Sequence, residues 1–126
     1  MTDLKVLLPG PGHPITIEPT RSRVTVEHAG HLVADTSHSL TLQEADYPPV
    51  QYVPLADVDP GSLQPSTHTS WCPFKGKASY FDLVVGDQVV KNAVWTYRKP
   101  HDAVAEVADH VAFYAERIDS VVVHDD

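Results

Sequence analysis

The only thiol in the chain sits in a segment suited to turning. In Cys72-Pro73-Phe74-Lys75-Gly76, proline presets the second turn position and glycine permits a left-handed exit. Such a turn brings the α-carbons of Cys72 and Lys75 within about 7 Å, where an ammonium group can favour a thiolate. Cys72 is then a candidate nucleophile, and Lys75 a candidate partner for an anionic or carbonyl group of a ligand. The alternative makes Cys72 a small buried hydrophobe and Lys75 a solvated turn lysine. His68 precedes Cys72 by four residues. Along an extended strand that is about 13 Å, too far for a thiolate–imidazolium pair unless the chain bends.

Tyr80, Trp95 and Tyr97 supply amphipathic rings that either stack on a small ligand or belong to the core. Tyr80 is also a candidate reactive group beside Cys72 and Lys75. Asp57-Val58-Asp59 is similar to the alternate carboxylates that hold Mg²⁺, but the acids precede Pro60-Gly61, and capping a short helical turn is the competing reading. His28 and His31 flank Ala29-Gly30 and could meet across a hairpin. Although there are 8 histidines, no third ligand follows a characteristic spacing, so no metal site is expected, and no motif calls for a cofactor. Asp102, Glu106 and His110 would share one helical stripe, read as a solvated face.

Prolines constrain the elements that must hold these residues. Eleven of them, ten at or before Pro73, leave little room for long helices in the first part of the chain. Ile15–Glu18, Arg23–His28, His31–Asp35, Leu40–Ala45 and Val50–Val53 read as short strands, with Ala29-Gly30 as a tight hairpin loop. Gly86-Asp87 between two valine-rich runs predicts a two-residue hairpin in which paired residue numbers sum to about 173. Asp82 then faces Lys91. One face carries Phe81, Leu83, Val85, Val90 and Val94, the expected core. The other carries Ala78, Tyr80, Ala93, Trp95 and Tyr97, where large rings beside alanines suggest a hollow. Past Pro100, Ala103, Val104, Val107, Ala108 and Val111 follow helical spacing. Val111–Tyr114 continues that helix or turns into a strand. Ser120–Val123 reads as a closing strand.

A chain of 126 residues with 42% hydrophobic content fits one domain, 1–126, with one core. Seventeen acidic residues against nine basic ones, a formal charge of −8, make nucleic acid and anionic membranes poor partners. One cysteine excludes an intramolecular disulfide and a Cys₄ zinc site. No run approaches the ~20 apolar residues of a spanning helix, and MTDLKVLLPG lacks the pattern of a signal peptide. The expectation is a cytoplasmic protein.

Several residues together resemble a known family. Pro54-x-x-Asp57-Val58, Ser66, Cys72-Pro73-Phe74-Lys75-Gly76-x-Ala78-x-Tyr80, Trp95-x-Tyr97, Pro100 and Phe113-Tyr114 are similar to the bacterial and fungal domain of unknown function 427. The motif-bearing core spans about 47–114. The resemblance implies a small β fold related in topology to β-tent domains, and the family is also labelled nucleotidyltransferase-like. Leu55-Ala56 departs from relatives that carry Arg and an acid there, so a charged pair of their site is missing.

The expected architecture is mainly β: a compact domain of short antiparallel, β-tent-like strands with one or two short helices. One functional reading is a small-molecule pocket, binding or catalytic, made by Asp57, His68, Cys72, Lys75, Tyr80, Trp95 and Tyr97. The alternative is a non-catalytic module whose aromatic face meets a partner protein or a second copy in a homodimer. Mg²⁺-dependent nucleotidyltransferase-like activity is a third option. No pattern identifies a substrate or reaction.

Overall fold

Proline spacing and β-branched runs make this a protein of strands. The structure, a computed structural model, describes residues 5–124. Its strands are β1 (Ile15–Pro19), β2 (Val24–His28), β3 (His31–Thr36), β4 (Leu40–Glu44), β5 (Val50–Pro54), β6 (Leu63–Cys72), β7 (Gly76–Val85), β8 (Gln88–Thr96), β9 (His110–Phe113) and β10 (Ser120–Val123). They form two antiparallel sheets, a seven-stranded one ordered β1-β4-β5-β9-β8-β7-β6 and a three-stranded one ordered β10-β2-β3. The first five strands fall within a residue of the bounds that composition predicts. Strand β6 is the addition. It contains Pro65, pairs among the described residues with β7 alone, and breaks register between Pro65 and Thr69, which suits an edge position where a missing donor costs little.

The two hairpins follow their turn chemistry. Ala29 and Gly30 both take positive φ, 50° and 77°, beneath the His28–His31 pair, the backbone of a type I′ loop. Gly86 has φ 58°, and Val85 pairs with Gln88, Val84 with Val89 and Leu83 with Val90, the predicted register. Beyond Leu83 the pairing jumps, and Phe81 meets Val94. Asp82 therefore faces the bulged segment Lys91–Ala93. Its carboxylate holds that bulge, accepting from the Asn92 amide at 2.8 Å and from Lys91 Nζ at 3.2 Å. Asn92 takes a left-handed φ of 52°. Since the offset is two residues, the remaining side chains keep their faces. Only Ala93 departs from the expected arrangement, packing in the first core instead of beside Trp95.

The large sheet is buried on both faces. One side packs Val53, Leu83, Val94 and Val111 against Val24, Val26 and Val33 of the small sheet. The other joins Leu42, Tyr52, Ala78, Tyr80, Tyr97 and Ala112, covered by Val104 and Val107. Those two valines come from a 3₁₀ segment, Asp102–Val107, kinked at Val104, and not from the α-helix that the spacing suggested. Their three-residue separation fits a 3₁₀ turn, and Asp109 with φ 62° ends it before β9. His110 therefore lies on a strand, apart from any stripe with Asp102 and Glu106. Among the described residues no helix is long and apolar enough to cross a membrane.

Candidate functional site

At one end of the second face, the β6–β7 hairpin closes as its residues dictate. The Lys75 amide donates to the Cys72 carbonyl at 3.2 Å, Cys72 pairs with Gly76, and Gly76 leaves at φ 114°. A β-carbon on Gly76 would stand 3.3 Å from the His101 ring and 3.4 Å from the Lys99 carbonyl, so only glycine fits without strain. The Lys75 ammonium donates to Glu44, the last residue of β4, and the two side chains are only 12% and 13% exposed. The other Glu44 oxygen accepts from His13 Nε2 at 2.7 Å. His13 in turn lies flat on Phe74, with centroids 3.9 Å apart and planes at 8°. Burial acts to raise the Glu44 carboxyl, but hydrogen bonds from Lys75 and His13 outweigh it and hold the group below the ordinary carboxylate range. Any ligand anion at Lys75 would have to displace Glu44.

The N-terminal segment covers this end. The Leu7 amide donates to the Pro73 carbonyl at 2.9 Å, and the Trp71 indole donates to the Lys5 carbonyl at 2.9 Å. Beneath it, Cys72 is half-buried and packs with the cluster of Leu42, Ala78 and Tyr97. Tyr97 and Tyr52 are buried, and burial above all pushes both phenols well above their ordinary range. The Tyr80 hydroxyl meets Ser70 Oγ at 2.9 Å, and its ring tilts against exposed His68 with centroids 4.6 Å apart. Five of the seven predicted site residues, Cys72, Lys75, Tyr80, Trp95 and Tyr97, therefore belong to the second face or its bounding hairpin, with His68 against its outer edge. The interior they share is packed.

Asp57 lies elsewhere. Its carboxylate accepts from Thr36 Oγ1 at 2.7 Å, whereas Asp59 accepts from His31 Nε2 at 2.7 Å and from the Gly61 amide at 3.1 Å. Thr36 and His31 are the opposite ends of β3, so the two acids serve separate hydrogen bonds, and Asp59 caps the Pro60–Ser62 turn. His28 bonds Gln88 at 3.2 Å rather than His31. Among the described residues no three His, Cys, Asp or Glu side chains gather at one point.

Open space occurs at the other end of the second face, where the large sheet splits. Strand β5 pairs with β4 from Val50 to Tyr52, but β9 meets it only at Val53 and Pro54. The Pro48-Pro49 pair removes two amide donors before β5. After Phe113 the chain turns away, with the Arg117 amide bonded to the Tyr114 carbonyl at 2.9 Å. A groove of about 510 Å³ results, with Tyr47, Trp95, Phe113 and Tyr114 among its walls, Val121 and Val123 across from them, and Glu116 at its edge. Trp95 and Tyr114 tilt together at 4.5 Å, while the Trp95 indole donates to the Tyr52 hydroxyl at 3.1 Å. Burial, then a hydrogen bond with Tyr80, pushes the Tyr114 phenol up to about 12. Of the predicted site residues only Trp95 lines this groove.

Several members of these two regions escaped the sequence reading. Glu44 follows Leu40 and Leu42 at two-residue spacing, a carboxylate on the inward face of a strand, and that was its available signal. Tyr52 carries the same inward alternation. Tyr47 and Glu116 stand in connecting segments where periodicity says nothing.

Fold and site together define a class: an antiparallel β protein with a sealed ionisable hairpin end and an aromatic groove at a sheet split. More particularly, the chain belongs to the family described as a domain of unknown function (DUF427), whose profile matches residues 16–124. Comparison with curated proteins returns no match.

Proposed function

We propose that this protein binds a small organic molecule in the groove between β5 and the Phe113–Glu116 segment. The observation that carries this reading is the groove itself, about 510 Å³ and walled by Trp95, Phe113, Tyr114 and Tyr47. That volume lies within the range of small-ligand pockets, and its composition of apolar walls with few polar groups is theirs as well. The candidate reactive groups Cys72, Lys75 and Tyr80 stand outside the lining, and Lys75 is already neutralised by Glu44. The reading is accordingly one of binding rather than catalysis.

The test uses Nile red, a neutral apolar dye of suitable size. Saturable, one-to-one enhancement of its emission is expected with the wild-type chain. It should disappear in Trp95→Ala and in Val123→Asp, which places a charge on the groove wall at an exposed strand position, and persist in His68→Ala. An absence of saturable binding to the wild type, or equal binding by all three variants, overturns the reading.

A further inference from the structure

The groove's lining also specifies the charge of what it takes. Among the described residues no lysine, arginine or histidine lines it. Among the described residues Glu116 is its one ionisable group apart from tyrosines, and no basic side chain among them pairs with Glu116. A cation does stand beside the groove, but it is engaged. The Arg117 guanidinium lies 4.4 Å from the centre of the Tyr114 ring and donates to the Asn92 carbonyl at 3.2 Å. That contact shows the Tyr114 ring already accepting a positive charge within this molecule. The chain as a whole carries a formal charge of −8, which draws cations to the surface and repels anions.

Resting on the binding reading above, we propose that the ligand is an organic cation: an apolar or aromatic body carrying one ammonium-type charge. The body lies against Trp95 and Phe113, and the charge sits beside the Glu116 carboxylate on the same lining. Aromatic faces attract ammonium groups through their quadrupole. Glu116 adds attraction that salt screens. A nucleotide or other phosphate ester finds no cation on this lining to meet it, so the groove disfavours that class.

Three probes of similar shape separate the possibilities: benzyltrimethylammonium, its neutral isostere neopentylbenzene, and the anion phenylmethanesulfonate. Binding to the full chain is followed by the NMR shift of the Trp95 indole N–H, assigned with Trp71→Phe. The cation should bind about two- to thirtyfold tighter than the neutral isostere, with the anion weakest. Glu116→Gln, an exposed and conservative change, should weaken the cation by about threefold at low salt and leave the isostere within about twofold. Molar salt should reproduce the effect of the variant on the wild type. Equal binding of cation and isostere, or preference for the anion, overturns the cation assignment and leaves the binding reading standing. Failure of all three probes to shift the Trp95 signal overturns the cation assignment, and the binding reading falls with it only if Nile red also fails to bind the wild-type chain.

Discussion

The two ends of the second face carry different side chains in opposite states. At the hairpin end, Lys75, Glu44, His13 and the Cys72 turn are charged or polar, and nearly every group has a partner within the chain. At the split end, Trp95, Tyr114 and Tyr47 are largely apolar, yet their surfaces border empty space. Chemistry-rich residues are therefore engaged with one another at the hairpin end, and the less conspicuous end is the open one. A buried ion pair must satisfy itself to exist at all, because desolvation is costly. An apolar wall can remain open at small cost. What a site offers is what its residues leave unsatisfied.

The contrast is most severely tested at Glu44. Glu44→Ala leaves the Lys75 ammonium half-sealed without its partner, and the expected loss is about 2–4 kcal/mol in urea unfolding. Combining it with Lys75→Met should recover much of that loss. If the single variant costs nothing, the hairpin end is not sealed by this pair. Next in size is Gly76→Ala, which forces a β-carbon into left-handed backbone against the His101 ring. It should destabilise by about 1–3 kcal/mol, while Gly86→Ala, at φ 58° with open space around it, should cost less in the same thermal melts.

Acid sharpens the comparison through the same pair. The folded Glu44 carboxyl titrates below its ordinary value, so its stabilising contribution is complete above the unfolded value of about 4.3 and fades as pH falls through the folded one. Between about pH 5 and 3, the unfolding free energy of Glu44→Gln should decline less steeply than that of the wild type. A parallel decline in both proteins would assign the acid sensitivity to other carboxylates. The smallest effect belongs to the open end. Glu116→Gln should change stability by no more than about 0.5 kcal/mol, a near-silence that makes it a clean probe of binding.

Much of the fold was legible because its signals are local. Prolines and short β-branched or alternating runs marked the early strands, Ala29-Gly30 and Gly86-Asp87 set two hairpins, and alternation along β7 separated Phe81, Leu83 and Val85 from Ala78 and Tyr80. The Cys72–Gly76 turn and the family resemblance followed from a handful of adjacent residues. Less legible were the places where distant segments decide. The bulge at Lys91–Ala93 depends on an Asp82 carboxylate nine or more residues away. The 3₁₀ segment at Asp102–Val107 kept the valine spacing of a helix but lost its continuation to β9.

The candidate site divides along the same line. By itself the sequence determined that Cys72 and Lys75 share a turn, that Tyr80, Trp95 and Tyr97 share a sheet face, and that the protein is acidic and built of strands. Each rests on period-two geometry or on turn stereochemistry within a few residues. Only the tertiary structure decided that Lys75 is held by Glu44, that Tyr80 and Tyr97 are buried, and that open space lies beside Trp95. Those outcomes depend on strand order: β4 brings Glu44 across 31 residues, and the brief contact of β5 with β9 leaves a gap that no local pattern encodes.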